Sequence, residues 1–160
     1  MILDHQQQPC RFVMVTAAKE AKIVAGDLVM WRHSKAYPAR DTIRLMTSLD
    51  VANAYQAENR QRMRKFFSGC FLGVSLEHSP PGVADRIRVA TSGVFLFDCV
   101  PDFYELGRFI GPALIDRDTS SQKVCRARHG DEAFGLCATG GESIAERVSV
   151  EIFSRVMRPL

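Results

Sequence analysis

Ile87-Arg88-Val89-Ala90-Thr91-Ser92-Gly93-Val94-Phe95-Leu96-Phe97 is the stretch whose reading decides the fold. From Arg86 to Val89 polar and apolar residues alternate, whereas from Val94 to Phe97 every residue is apolar. That change predicts one strand passing from half-buried to buried on both faces, bent at Ser92-Gly93, with one face of Val94 to Phe97 in need of a cover. Two other apolar segments begin at or are broken by glycine: Gly26-Asp27-Leu28-Val29-Met30-Trp31 and Gly69-Cys70-Phe71-Leu72-Gly73-Val74-Ser75-Leu76. β-branched and aromatic residues fit a pleated surface, and glycine permits the turn or bulge, so the chain reads as mainly β, a small β-barrel or sandwich.

Working outward, Arg11 to Ala18 alternates weakly and predicts a first strand, while Ala25-Gly26-Asp27 is a turn before the strand Leu28 to Arg32. Pro38 makes Ser34 to Ser48 a surface loop, because proline lacks a donor and restricts its predecessor. Asp50 is placed to cap the one principal helix, running to about Phe66, with Val51, Ala54, Tyr55, Met63 and Phe66 as a broken apolar stripe. Phe67 to Glu77 returns to strand and Pro80-Pro81 marks a loop. Pro101 to Pro112 reads as a connection, and Ser120 to Ala127 as a further strand with Val124 inward. Phe134 to Thr139 is a short strand ended by Gly140-Gly141. The last strand runs from Arg147 to about Met157, with Val148, Val150 and Ile152 on one face and Arg147, Ser149 and Glu151 on the other.

A length of 160 residues is ordinary for one domain. Residues 1–10 read as a polar N-terminal arm and residues 11–160 as a single β-rich domain. No apolar run approaches the length of a bilayer-spanning helix and no signal peptide is legible at Met1, so no membrane is expected and synthesis in the cytoplasm is. With 21 basic against 18 acidic residues the charge is too balanced for a dedicated nucleic-acid binder, and no direct nucleic-acid partner is expected. Arg60-Gln61-Arg62-Met63-Arg64-Lys65 is the one locally basic stretch; such a run is most often a solvated helix face, with contact to phosphate or an acidic surface as the alternative.

The polar residues do not fall at the spacings of known chemistry. Cysteines at 10, 70, 99, 125 and 137 are odd in number, without a C-x-x-C pair, which argues against zinc and for reduced, non-catalytic thiols. His5, His33, His78 and His129 are dispersed, and Ser75 lies in a strand rather than in a G-x-S-x-G elbow. The glycines form no phosphate loop. Asp98 with Asp102, and Asp116 with Asp118, lack the ligand count of a calcium loop. No metal, cofactor or catalytic residue is therefore expected, and function is sought on surfaces.

The succession Lys22-Ile23-Val24-Ala25-Gly26-Asp27-Leu28-Val29, Phe71-Leu72-Gly73-Val74-Ser75, Ile87-Arg88-Val89-Ala90-Thr91-Ser92-Gly93-Val94-Phe95, Leu106-Gly107, Phe134-Gly135-Leu136-Cys137-Ala138 and Val148-Ser149-Val150-Glu151-Ile152 resembles the small capsid decoration (cement) proteins of tailed bacteriophages. Those carry an early G-D-x-V strand, a G-V-A-like strand, a V-x-x-x-G-V-F strand, an I-G-x-A segment and a closing V-x-V-x-L strand. The resemblance covers residues 20–156 and implies a structural subunit of the virion, a homotrimer bound to the major capsid protein, with no chemistry of its own. Candidate interface residues are Phe95 and Phe97, from the strand that needs a cover, and Arg60, Arg62, Arg64 and Lys65. A rival reading is a small β-barrel enzyme or ligand carrier, with an apolar pocket lined by Phe95, Phe97 and Phe134 and a thiol at Cys99 or Cys137. A third is an adaptor that binds nucleic acid through Arg60 to Lys65.

Overall fold

The structure is a computed structural model that describes residues 2–3, 10–46, 57–115 and 118–157. Its spine is β6 (Arg86–Asp102), a seventeen-residue strand about three times the common length. The C-terminal half of β6 pairs antiparallel with β10 (Ala145–Phe153) on one edge. On the other edge it pairs parallel with β8 (Asp118–Arg126) at Asp98 and Cys99. β8 pairs with β7 (Phe109–Ile115), β7 with β9 (Gly135–Cys137), and β9 with β10, which closes a five-stranded barrel. Mainly β structure built around a small barrel is what the glycine-punctuated strands predict.

The N-terminal half of β6 serves a second group of strands. β2 (Arg11–Thr16) pairs with it on the β8 edge and β5 (Phe71–Ser75) on the β10 edge. β5 pairs with β3 (Leu28–Arg32), and β3 with β4 (Lys35–Pro38) through a two-residue turn in which His33 and Ser34 both have positive φ. A parallel bridge from Ala17 to Ala36 brings β4 back to the end of β2. The two-residue β1 (Ile2–Leu3) lies on β6 opposite Leu96 and Phe95.

Two apolar clusters follow from this arrangement. The larger holds Phe67, Phe71, Phe95, Phe97 and Phe134 with Val124, Val148, Val150 and Ile152. The smaller holds Ile23, Val29, Leu72, Ile87 and Val89, with Val13, Val15 and Trp31 against it. All five residues of β5 are buried because it lies between the two: Phe71 and Val74 enter the large cluster and Leu72 the small one. Phe134 is the hub of the aromatic packing, with ring centroids 4.9 Å from Phe71, 6.1 Å from Phe97 and 6.2 Å from Phe67. A fully buried Phe contributes roughly 1.5–3 kcal/mol from transfer alone, so this cluster dominates the apolar term.

The principal helix is α2 (Ala57–Gly69), preceded by the four-residue α1 (Thr42–Leu45). Asn59, Met63 and Phe67 point inward at intervals of four, and Phe67 delivers its ring to the barrel core. The expected cap at Asp50, and Val51, Ala54 and Tyr55 of the expected stripe, lie outside the described residues. The inward position near the C-terminal end is Phe67, with Phe66 half-buried beside it under the Arg32 guanidinium at 5.1 Å.

Several boundaries differ from the sequence reading: α2 runs on through Phe67 to Gly69, where a strand is expected, so β5 begins only at Phe71. β4 is a strand where a loop is expected, since Pro38 at its last position costs no central ladder bond. β6 runs on through Pro101 to Asp102, and β7 takes in Pro112. β10 stops at Phe153 because Ser154 and Arg155 leave the ladder: Ser154 N donates to Thr91 O (3.0 Å) and Arg155 N to Phe71 O (2.9 Å).

A buried polar seam ties the β3–β4 region to barrel strand β8. Gly26, at φ +96°, makes a turn in which Asp27 N donates to Val24 O at 3.0 Å and Val24 N donates back to Asp27 Oδ2 at 2.9 Å. Gln122 Nε2 donates to Asp27 Oδ1 at 2.9 Å, and the Arg40 guanidinium lies 3.3 Å from Oδ2. Nearby, the Thr42 and Thr119 hydroxyls bond each other at 2.7 Å and both reach Ala39 O, while Arg40 N donates to Ser121 Oγ at 3.0 Å. Asp27 is fully buried, and this set of partners makes its charge tolerable there.

Candidate functional site

Three strands place a row of charges on the barrel wall. In register, Arg147 of β10 stands opposite Asp98 of β6, and Asp98 opposite Lys123 of β8. Arg147 Nε lies 3.3 Å from Asp98 Oδ1. A register irregularity between Ala145 and Arg147 places Glu146 beside this row. These residues, with Cys99, Pro101, Ser120 and Gln122, line an open groove of about 410 Å³. Two acids face two bases, so the groove can take up a surface of mixed charge. Burial pushes the Cys99 thiol up, which keeps it from being a ready nucleophile at neutral pH.

At the end of the barrel where β6 and β9 finish, large apolar residues are exposed among polar ones. Two loops meet there, with Gly107 N donating to Cys137 O (2.9 Å) and Gly141 N to Tyr104 O (3.3 Å). They carry Phe103 (49% exposed), Leu106 (70%) and Ile144 (61%), with Val100 (41%) at the end of β6. Tyr104 anchors the loop from within, its hydroxyl donating to Val100 O at 2.6 Å. Exposed apolar residues collected on neighbouring loops mark an interaction surface more often than scattered single ones do.

The expected interface residues fall in different places. Phe95 and Phe97 are 0% and 1% exposed: the cover that Val94 to Phe97 needs is supplied by the chain's own barrel and helix. They are core residues, which corrects the expectation that they face a partner. The apolar pocket of the rival reading is likewise corrected, since the space between Phe95, Phe97 and Phe134 is filled by their own rings and those of Phe67 and Phe71. The basic run lies on α2, away from these two phenylalanines in role and exposure. Arg60, Arg62 and Lys65 are exposed and Arg64 half-buried. Arg62 pairs with Glu58 at 2.8 Å and Lys65 with Asp131 at 3.4 Å, while Arg64 Nη2 donates to Cys125 Sγ at 3.7 Å.

Burial raises all five thiols above the ordinary cysteine value, so each is held as a thiol. His33 and His129 are exposed, and His78 Nδ1 accepts from Ala25 N at 3.4 Å. Ser75 Oγ donates to Glu77 O at 2.6 Å at the end of a buried strand. Asp102 lies 3.4 Å from Arg126. His5 and Asp116 lie outside the described residues. Among the described residues, no group of three or more His, Cys, Asp or Glu could hold a metal ion, and no helix is long and apolar enough to cross a membrane.

The sequence reading missed the Arg147–Asp98–Lys123 row and the apolar loop cluster. The row joins strands 25 and 49 positions apart in sequence from Asp98, and only the barrel's register aligns them. For the loops a signal did exist: Phe103, Leu106 and Ile144 are large apolar residues inside segments otherwise polar and glycine-rich. No family model matches the chain, and no curated protein matches it.

Proposed function

We propose that this protein is a capsid decoration subunit of a tailed bacteriophage, bound as a homotrimer to the lattice of major capsid protein and stabilising the virion without chemistry of its own. The observation that carries the reading is the exposure of Phe103, Leu106 and Ile144 on two loops braced by hydrogen bonds at one end of the barrel, apolar surface that a partner would cover. The succession of glycine-punctuated strands that resembles cement proteins supports it. The neighbouring charge row would supply register on the lattice, since complementary charge sets orientation more than affinity.

The test is sedimentation of particles from cells that produce the chain, followed by imaging. The chain is expected in the particle fraction, at a repeating lattice position, and Phe103→Asp combined with Leu106→Asp is expected to leave a folded chain in the soluble fraction. A chain that stays monomeric at high concentration and sediments with no particle overturns the proposal.

A further inference from the structure

We propose that the outer edge of β2 is a docking strand for an extended segment of a partner protein in which apolar and acidic residues alternate. The site belongs to the N-terminal half of β6, at the far end of that strand from the loops of Phe103 and Leu106, and it goes beyond the function proposed above. β2 pairs with β6 along one edge, and among the described residues its other edge meets only β4, at the Ala17–Ala36 bridge. Ala17 N donates to Asp85 O at 2.8 Å, so these two residues extend the β2–β6 ladder as a hydrogen-bonded pair. The one-for-one register from there makes Val15 with Ile87, and Val13 with Val89, hydrogen-bonded pairs as well. Phe12 and Met14 alternate with them, and their N–H and C=O groups therefore turn away from β6 toward the open edge. On the far side of β6, Leu76 N donates to Arg88 O at 2.9 Å, as the same alternation requires.

The residues along this edge favour an added strand. Natural edges are commonly protected by lysine, proline or an inward charge, and from Phe12 to Thr16 β2 carries none of these. Val13 and Val15 lie half-buried against the smaller cluster, while Phe12 and Met14 are 54% and 45% exposed on the outer face. Charge selects the partner. Arg88 and Arg86 of β6 stand opposite Met14 and Thr16 and share their outward face. Glu77 pairs with Arg88 at 3.0 Å, but among the described residues neither Arg86 nor Arg11 forms an ion pair. An added strand would lie two strand spacings from β6, about 10 Å, a gap that glutamate and arginine side chains close together. Its outward glutamates would lay their stems over Phe12 and Met14 on the way to the arginines, and its inward apolar residues would continue the row of Val13 and Val15. The Arg88 guanidinium already overlies the Phe12 ring, 6.0 Å from its centroid, which leaves that ring a poor platform for a base and favours a peptide over a nucleic acid.

Fluorescence anisotropy with a labelled synthetic peptide of about eight residues, alternating valine and glutamate, tests the edge. The full chain is expected to bind it, and to bind a matching peptide of valine and lysine at least about tenfold more weakly. Amide exchange of the complex is expected to show new protection at Phe12 and Met14 and none added at Val13 and Val15, whose N–H groups are already in the ladder. Met14→Pro removes an outward N–H and no ladder bond, so it is expected to keep the native circular dichroism and to weaken binding about tenfold. Where that variant fails to fold, Arg86→Glu decides: an exposed charge reversal is expected to abolish the preference for the glutamate peptide. Equal affinity for the two peptides, binding without protection at Phe12 and Met14, or no binding overturns the proposal. So does an oligothymidylate that binds where the glutamate peptide does not, or a doubled molar mass with Phe12 and Met14 protected in the absence of peptide, since a nucleic acid or a second copy is then the occupant. These readouts involve no particles, and the docking edge and the capsid reading therefore fail separately.

Discussion

Asp118 opens β8 with its carboxyl held up at about 6, chiefly by desolvation, although Thr119 N donates to it at 2.7 Å and the Ile43 backbone also bonds it. A carboxyl whose folded pKa is raised above the unfolded value makes the folded state bind the extra proton. Its stabilising effect is full below about pH 4 and is lost as pH rises through about 6. Asp118→Asn is therefore expected to stabilise the protein at pH 7.5 by about 1–2 kcal/mol, a figure discounted for partial exposure, with the difference closing below pH 4. Urea midpoints of both proteins at pH 4, 6 and 7.5 check this; a gap that does not change with pH excludes it. Asp41 is raised by desolvation too, so the variant keeps part of the slope.

At the scale of the element, β5 depends on a residue with no side chain. A Cβ on Gly73 would lie 1.8 Å from Ala90 O, a backbone atom of β6 that cannot swing away, so Gly73→Ala must push the two strands apart. Both apolar clusters lie against β5, and the expected loss is about 2–4 kcal/mol by thermal or urea unfolding. A loss under 0.5 kcal/mol would mean that the strands separate freely there. The existence of β5 was legible from its apolar run, yet the reason for its glycine was not, because the obstructing oxygen comes from a strand 17 positions later. Similarly, the β3–β4 turn uses His33 and Ser34 at positive φ in place of the Asn-Gly that announces such turns, so β4 read as loop. The last strand, whose pattern of Val148, Val150 and Ile152 is local, was read with its inward face intact. Phe95 and Phe97 show the limit of local reading: apolarity marks burial, and only the closed barrel tells whether the cover is internal.

For the molecule as a whole, sharing β5 and β6 between two clusters predicts one cooperative unfolding transition. Trp31, the single tryptophan, packs against the smaller cluster, whereas far-ultraviolet circular dichroism reports all the strands. Their urea transitions are expected to coincide within error, and a fluorescence change that clearly precedes the other signal would show the smaller cluster opening alone. The seam of Asp27, Arg40 and Gln122 adds a second tie between the halves.

β2 and β10 both run antiparallel to β6, on its opposite edges, and are therefore parallel to each other. Tension applied between the end of β2, where Thr16 stands opposite Arg86, and the start of β10, where Ala145 stands opposite Asp102, drags the two along β6 in opposite directions and loads both ladders in shear. Backbone bonds loaded in shear must yield many at a time, whereas a peeled strand releases them singly. The spine thus gives a small barrel a mechanically stiff axis between its two ends.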